Sequence, residues 1–291
     1  MPEIAANTDA VKLFHVSDIH FGLEDRRALG WVEQCIADEA PDAVAITGDL
    51  TMRARSREFA AACRWITGLD APVTVEIGNH DLPYFNPIER FFDPYKRFRA
   101  IENLIEREID LGSVAIVPLK TTARAQWRLN WSKGCITRPA LKKTLRLIDQ
   151  LPRGTRVLVT AHHPLVEVGT QGTALTTRGE KALEELARRN VIAVLTGHVH
   201  DPFDLVKQTA CGPIRMIGAG TLSQRIRSTP PSFNEITIEG RDVRVDARNL
   251  AHVQTRDMQI GDVPENAMPP REPGEPVAPV HAVPPVDPPV H

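Results

Sequence analysis

Cysteine is sparse in this chain of 291 residues: four, at positions 35, 63, 135 and 211, with no Cys-x-x-Cys pair among them. That scatter argues against a disulfide framework or a thiolate metal site and favours buried free thiols, two of them on apolar helix faces. Long hydrophobic runs are missing as well, and no window reaches the ~18 apolar residues that a membrane span requires. The N-terminal Met-Pro-Glu-Ile-Ala-Ala-Asn-Thr lacks the basic-then-apolar order of a secretory leader. A cytoplasmic location is the resulting expectation. Nor does one sign of charge dominate: 35 Lys and Arg stand against 37 Asp and Glu, for a net charge of −2. No general basic field is available to hold a nucleic-acid backbone, so a nucleic-acid duplex is not expected as a partner. The Arg-rich stretches Arg53–Arg57 and Arg225–Arg227 read as solvated faces.

What the chain does have is a set of five short Val- and Ile-rich runs, each ending on residues that bind metals. Lys12–Val16 leads into Asp18-x-His20, Ala43–Thr47 into Gly48-Asp49, and Val73–Ile77 into Gly78-Asn79-His80-Asp81. Val157–Ala161 leads into His162-His163-Pro164, and Val191–Thr196 into Gly197-His198-x-His200. Runs of this length bounded by turn residues read as buried strands. Ligands of open α/β sheets collect at the carboxyl ends of strands, so five such ends are expected to converge on one cleft. In Asp18-x-His20 and His198-x-His200, alternate residues of an extended turn are expected to project to the same side.

Helical patterns alternate with these strands. Arg26–Glu39 places Leu29, Val32 and Ile36 on one face, and Ser56–Leu69 gathers Phe59, Cys63 and Ile66. Ala140–Leu151 carries Leu141, Leu145 and Ile148 behind Pro139, and Arg178–Arg189 carries Leu183 and Leu186. Repeated strand-then-helix order argues an α/β sheet with covered faces. After residue 200 the pattern changes to strands at Ile214–Ile217, Glu235–Ile238 and Val243–Ala247, which suggests a second, more antiparallel sheet. The aromatic segment Pro83–Arg99 reads as a core-packing helix, with a wall of the cleft mouth as the alternative. The motifs must meet, so residues 1–260 are expected to form one catalytic domain. From about Gly261 to His291 the chain holds ten of its 24 prolines and almost no large apolar residues. That composition predicts a disordered or polyproline-like tail.

The five motifs in this order resemble the signature of the calcineurin-like metallophosphoesterases over roughly residues 11–250, and in finer texture the class III cyclic-nucleotide phosphodiesterases. The resemblance implies a four-layer αββα sandwich of two mixed β-sheets flanked by helices, with a metal site at the C-terminal ends of the strands. It implies that Asp18, His20, Asp49 and His200 hold one ion and Asp49, Asn79, His162 and His198 the other. Asp49 is then the bridge, and His80 contacts phosphate and protonates the leaving group. Oxygen and imidazole ligands without thiolate suit Mn, Fe or Zn, as two divalent or mixed-valence ions. Asp81 either orients His80 or caps its turn. His163 is read as a residue of the pocket or behind the ligands, and His162 as the ligand. Trp127 and Trp131 either stack a flat group of the substrate or pack their loop down. Purple acid phosphatases carry a tyrosine three residues after the bridging Asp; Met52 stands there, so no tyrosinate–iron colour is expected.

The function this implies is hydrolysis of small phosphodiesters by metal-bound hydroxide, with 3′,5′-cyclic nucleotides the first candidate. Glycerophosphodiester hydrolysis or general phosphatase activity is the alternative. A nuclease sharing the motifs is disfavoured for want of basic surface, and a lipid A diphosphate hydrolase because His80 is not Arg. A non-catalytic metal-binding scaffold is disfavoured because no motif residue has been lost.

Overall fold

A computed structural model describes residues 10–83, 92–105, 109–122, 132–172 and 176–253. Its strands form two five-stranded sheets. The first runs β10 (Asp242–Asn249), β9 (Ser232–Glu239), β1 (Val11–Val16), β2 (Ala43–Ile46), β3 (Val73–Val75). The second runs β4 (Val114–Pro118), β5 (Arg156–Thr160), β6 (Ala193–Thr196), β8 (Gly212–Gly218), β7 (Phe203–Thr209). Strands β1, β2 and β3 are mutually parallel, and so are β4, β5, β6 and β8. Only the hairpin partners β9–β10 and β7 run against their neighbours.

The late strands therefore do not make a separate antiparallel sheet. Each hairpin extends one of the two sheets already founded by the parallel strands: β9 pairs with β1, and β8 with β6. β7 was not visible as a strand because Asp204 and Lys207 interrupt it. It is an edge, paired only with β8, and every second residue faces solvent.

The apolar runs are continuous because both faces of each strand are covered. In β1, Phe14 and Val16 turn outward to the cluster beneath α1 (Arg26–Glu39) and α2 (Ser56–Gly68), whereas Val11 and Leu13 turn inward between the sheets. In β5, Val157 and Val159 face α4 (Arg138–Asp149) and α5 (Gly179–Ala187), and Leu158 faces inward. Alanines 43, 45 and 193 line much of the inner layer, which lets the sheets approach closely. The order helix, sheet, sheet, helix is the expected sandwich.

Local signals place the helices. Asp25 Oδ1 accepts from the backbone N–H groups of Arg27 and Ala28 and so starts α1. Leu29, Val32 and Ile36 are buried on its inner face, as their spacing predicts. Thr137 caps α4, with Pro139 in its first turn where a missing N–H costs little. A shorter helix, α3 (Phe98–Ile105), closes the aromatic segment: Phe98 and Ile101 are buried, and Phe92 is exposed. Residues 84–91 of that segment, Trp127, Trp131 and the Pro-rich tail lie outside the described residues. The four cysteines are free thiols, with Cys35 buried.

Candidate metal centre

The loops after β1 and β2 stay zipped beyond the strand ends. Asp18 N donates to Gly48 O (3.1 Å), His20 N to Asp49 O (2.9 Å) and Phe21 N to Leu50 O (2.7 Å). The loop after β3 joins them through Asp81, whose carboxylate accepts from Leu50 N, Thr51 N, Thr51 Oγ1 and Gly78 N at 2.8–3.2 Å. In the second sheet, Gly197 N donates to His162 O (2.9 Å).

Backbone conformation sets these loops apart. Asp18, His20, Asp49, His198 and His200 all have φ between 51° and 70°, five of the nine non-glycine residues with positive φ among the described residues. Such left-handed geometry costs an L-residue roughly 1–2 kcal/mol. Concentrated at five candidate ligands, it marks a site whose surroundings impose the geometry. The Asp-x-His and His-x-His spacings thus work through alternate left-handed residues, not through the extended turn expected from the sequence. Gly78 permits the approach of the loops, because a Cβ there would stand 2.0 Å from Asp49 Oδ1.

At the centre, acceptors face acceptors. His162 Nδ1 lies 2.8 Å from the Thr47 carbonyl and His200 Nδ1 2.7 Å from the Arg225 carbonyl. A carbonyl only accepts, so both Nδ1 atoms carry hydrogen and both Nε2 atoms present a lone pair in the neutral ring. His162 Nε2 points at Asn79 Oδ1 (3.1 Å) and Asp49 Oδ2 (3.3 Å). His200 Nε2 points at His20 Nε2 (3.2 Å) and Asp18 Oδ1 (3.2 Å). Asp18 Oδ1 and His20 Nδ1 are buried without a hydrogen-bond partner among the described residues. Lone pairs that converge in a buried space require protons or cations between them, and this donor set suits divalent transition metals. The potential ligand atoms of Asp18, His20 and His200 lie within 4.8 Å of one another, as do those of Asp18, Asp49 and His162.

Electrostatics agree. Burial pushes His20 and His198 down to about 3, leaving both imidazoles neutral, the form that binds a metal. Burial opposes charge at His162 too, but Asp49 and Asp18 outweigh it and raise the ring to about 9. Burial would raise Asp49, yet His162 and His80 hold its carboxyl well below the ordinary range. A proton on His162 and a cation beside Asp49 thus answer the same negative charge, and binding one releases the other.

His80 stands at the rim. Its backbone N–H donates to Asp49 Oδ1 (2.8 Å), and its Nδ1 donates to the Met52 carbonyl (2.8 Å), which orients the ring. Asp81 is committed to the loop backbone at 1% exposure and so serves the turn; burial and the nearby Asp49 charge raise its carboxyl to about 6. His163 sits beside the centre, its ring 4.4 Å from that of His198 and a ligand atom within 4.8 Å of those of His162 and His198, yet both of its ring nitrogens have partners: Nδ1 meets Thr121 Oγ1 (2.9 Å) and Nε2 meets the Ser132 carbonyl (3.0 Å). Its imidazole thus ties Thr121 to Ser132. Burial and the facing His198 hold it well below the usual range.

One residue escaped the sequence reading. Arg225 Nη1 lies 3.2 Å from His80 Nε2 and 3.3 Å from His20 Nε2, and with Arg227 it lines the cavity of about 160 Å³ beside Asp49, Asn79, His198 and His200. The signal was available: β8 is parallel to β6, so its carboxyl end opens on the same rim, and Arg225 follows that end as the other motifs follow theirs. A larger cleft of about 920 Å³ gathers Arg215, Glu239 and Arg244 at the opposite strand ends and contains none of the motif residues.

A family model described as calcineurin-like phosphoesterase matches residues 11–202. A curated glycerophosphodiester phosphodiesterase, GpdQ of Enterobacter lignolyticus (strain SCF1), is 27% identical over 119 residues, which are 35% of this chain and 43% of that protein. The chain thus spans less than half the length of that relative. Among solved structures, a dimetal phosphatase from Danio rerio superposes with a TM-score of 0.57 at 13% identity, over 81% of this chain and 98% of that one. Purple acid phosphatase PPD1 from yellow lupin (Lupinus luteus) seeds gives 0.60 at 13% identity, over 83% and 52%. At such identities the structures show a common fold, and the family model supplies the kinship: this chain belongs to the calcineurin-like phosphoesterases, hydrolases of phosphoester bonds.

Proposed function

We propose that the protein hydrolyses small phosphodiesters at a dinuclear metal centre. Asp18, His20, Asp49 and His200 would hold one cation and Asp49, Asn79, His162 and His198 the other, with Asp49 shared. The observation that carries this reading is the convergence of His162, His20 and His200 lone pairs on Asp18, Asp49 and Asn79. Two ions held there would supply a hydroxide at neutral pH and neutralise phosphate charge. Asp49 suits the shared position because it offers two oxygens and one negative charge.

The remaining work falls to the chain's own groups. Thr47 and Arg225 carbonyls fix the tautomers of His162 and His200. With Nδ1 held by Met52 O, His80 turns Nε2 to the cavity beside Arg225; once it carries a proton there, it would donate to the departing alkoxide oxygen. Cyclic 3′,5′-nucleotides are the first substrate candidate. Glycerophosphodiesters are the second, favoured by the likeness to GpdQ. Residence in the cytoplasm completes the proposal; among the described residues, no helix is long and apolar enough to cross a membrane.

The test is a hydrolysis panel with manganese present: cyclic AMP, cyclic GMP, 2′,3′-cyclic nucleotides, glycerophosphodiesters, bis-p-nitrophenyl phosphate and p-nitrophenyl phosphate. Diesters are expected to outpace monoesters. A monoester preference of about tenfold, roughly 1.4 kcal/mol in transition-state binding, would instead make the protein a phosphatase.

A further inference from the structure

The loop between β8 and β9 brings two guanidinium groups to the cavity. Arg225 is half-buried, and its described side-chain contacts are two imidazoles and the Met52 thioether at 3.9 Å, none of which neutralises a cation. Arg227 is exposed and lines the same cavity one step outward. The loop that carries them is built to a fixed shape. Buried Asp201 accepts from Ser228 N (3.1 Å), Thr229 N (3.1 Å) and Thr229 Oγ1 (2.9 Å), Ser223 Oγ accepts from Arg225 N (3.2 Å), and the Arg225 carbonyl is taken by His200.

The charge around the cavity is one-sided. Among the described residues, Asp49 is the only carboxylate in its lining. Three neighbouring loops meet there: Phe21 bridges Thr51, Glu24 bridges Ser223, and Arg225 reaches Met52. Segments 21–27, 51–58 and 223–229 contain seven arginines (26, 27, 53, 55, 57, 225, 227) and three carboxylates (Glu24, Asp25, Glu58). Two of those carboxylates are occupied by backbone: Asp25 caps α1, and Glu58 accepts from Arg53 N and Arg55 N. These three segments thus carry an excess of four positive charges, seven less three, above the buried carboxylates Asp18, Asp49, Asp81 and Asp201. Such a field draws in and orients anions.

We propose that Arg225 and Arg227 form an inner and an outer anion clamp: Arg225 takes an oxygen of the scissile phosphate beside His80, and Arg227 takes a second anionic group of the substrate. The preferred diesters then carry a negative charge beyond the ester that is cut, as in a nucleotide or polyol diester bearing an additional phosphate. Guanidinium-to-phosphate contacts are charge-assisted and planar, and they replace the weaker contacts that Arg225 makes to imidazole nitrogens. The proposal rests on the phosphodiesterase reading and, within it, ranks diesters that carry a further phosphate above the singly charged cyclic nucleotides.

Two chromogenic diesters with the same leaving group separate the clamp from the chemistry. Thymidine 5′-(p-nitrophenyl phosphate) and its 3′-phosphorylated counterpart differ by one remote phosphate. The wild-type protein with manganese is expected to favour the phosphorylated compound by about tenfold in kcat/KM, chiefly through KM, as one added charged hydrogen bond allows. Arg227→Gln should collapse that ratio toward one, and so should raising the salt well above physiological strength. Arg225→Gln should lower kcat/KM for both compounds, while thermal melting confirms that the variants fold. Equal wild-type rates on the two diesters, or a preference that survives in Arg227→Gln, would overturn the clamp and leave the hydrolase reading standing. Calorimetric binding of adenosine 3′,5′-bisphosphate and of adenosine 5′-monophosphate probes the clamp without turnover. The bisphosphate must bind more tightly to the wild type, and lose that advantage in Arg227→Gln, for the clamp to hold. If neither chromogenic diester is cleaved, the phosphodiesterase reading fails while the binding result still decides the clamp.

Discussion

On the proposed reading His80 separates proton transfer from metal binding: its ring is oriented by the Met52 carbonyl and stands at the rim, although one of its ring nitrogens lies within 4.8 Å of ligand atoms of His20 and Asp49. His80→Ala is expected to retain its metal by elemental analysis and to lose roughly 10²–10⁴-fold in rate on poor alkoxide leaving groups. The deficit should shrink for p-nitrophenolate, which departs without a proton. Equal losses on both kinds of substrate would assign His80 to phosphate charge instead. Asp49→Ala should behave oppositely and lose both ions, or one ion with nearly all activity; two tightly held ions in that variant would refute the bridge. At this scale the sequence was most legible where a residue type and a strand end coincide, as at Asp18, Asp49 and His162. It was least legible where chemistry depends on a partner far along the chain. Thr121 and Ser132 occupy His163, which nothing in the His-His-Pro motif announces, and Arg225 meets His80 across 145 positions.

Among the elements, the loops carry the information and the strands carry the frame. The parallel strands could be read from apolar runs because the sandwich covers both of their faces. Edge strands could not, since half of their residues meet water and their composition resembles a loop; β7 is the example. The left-handed residues were hidden for another reason: Asp and His tolerate that geometry only when neighbours enforce it, and the neighbours come from other loops. Gly78 is where this enforcement is tightest. Gly78→Ala would drive a Cβ into Asp49 and its backbone, so the Asp49 and Asn79 loops must separate. The expected result is a folded protein, by circular dichroism, with weakened metal retention and activity reduced at least as far as in His80→Ala. Full activity in that variant would mean that the two loops are not rigidly coupled.

For the whole molecule, one buried acid gives a stability signature. Glu76, just beyond β3, accepts from Thr160 Oγ1 (3.0 Å) across the inter-sheet layer, and burial raises its carboxyl from 4.5 to about 8. Between those values the native state holds a proton that the unfolded chain has released. Stability contributed at this site therefore falls as pH rises from 4.5 to about 8 and is level above that. Glu76→Gln is expected to gain in melting temperature over the wild type as pH rises through that window, by several degrees at its upper end. A gap independent of pH would show that Glu76 is ionised throughout. The Pro-rich tail gives a second test: truncation after Gly261 should leave melting and turnover of a small artificial diester nearly unchanged, and a loss of either would show that the tail docks on the catalytic unit.

The proposed ligands are divided between the two sheets. Asp18, His20, Asp49 and Asn79 follow strands of the first, and His162, His198 and His200 follow strands of the second. Each cation would then draw ligands from both, and the metals would act as rivets through the seam as well as reagents. Chelation should loosen the seam itself, and amide exchange should quicken first in the inward-facing residues of β1, β5 and β6, ahead of the outer helices. The melting temperature should drop with it, since a ligand that binds only the native state stabilises it by mass action. Asp49→Ala, with one ion or none left to lose, should respond less to the chelator than the wild type.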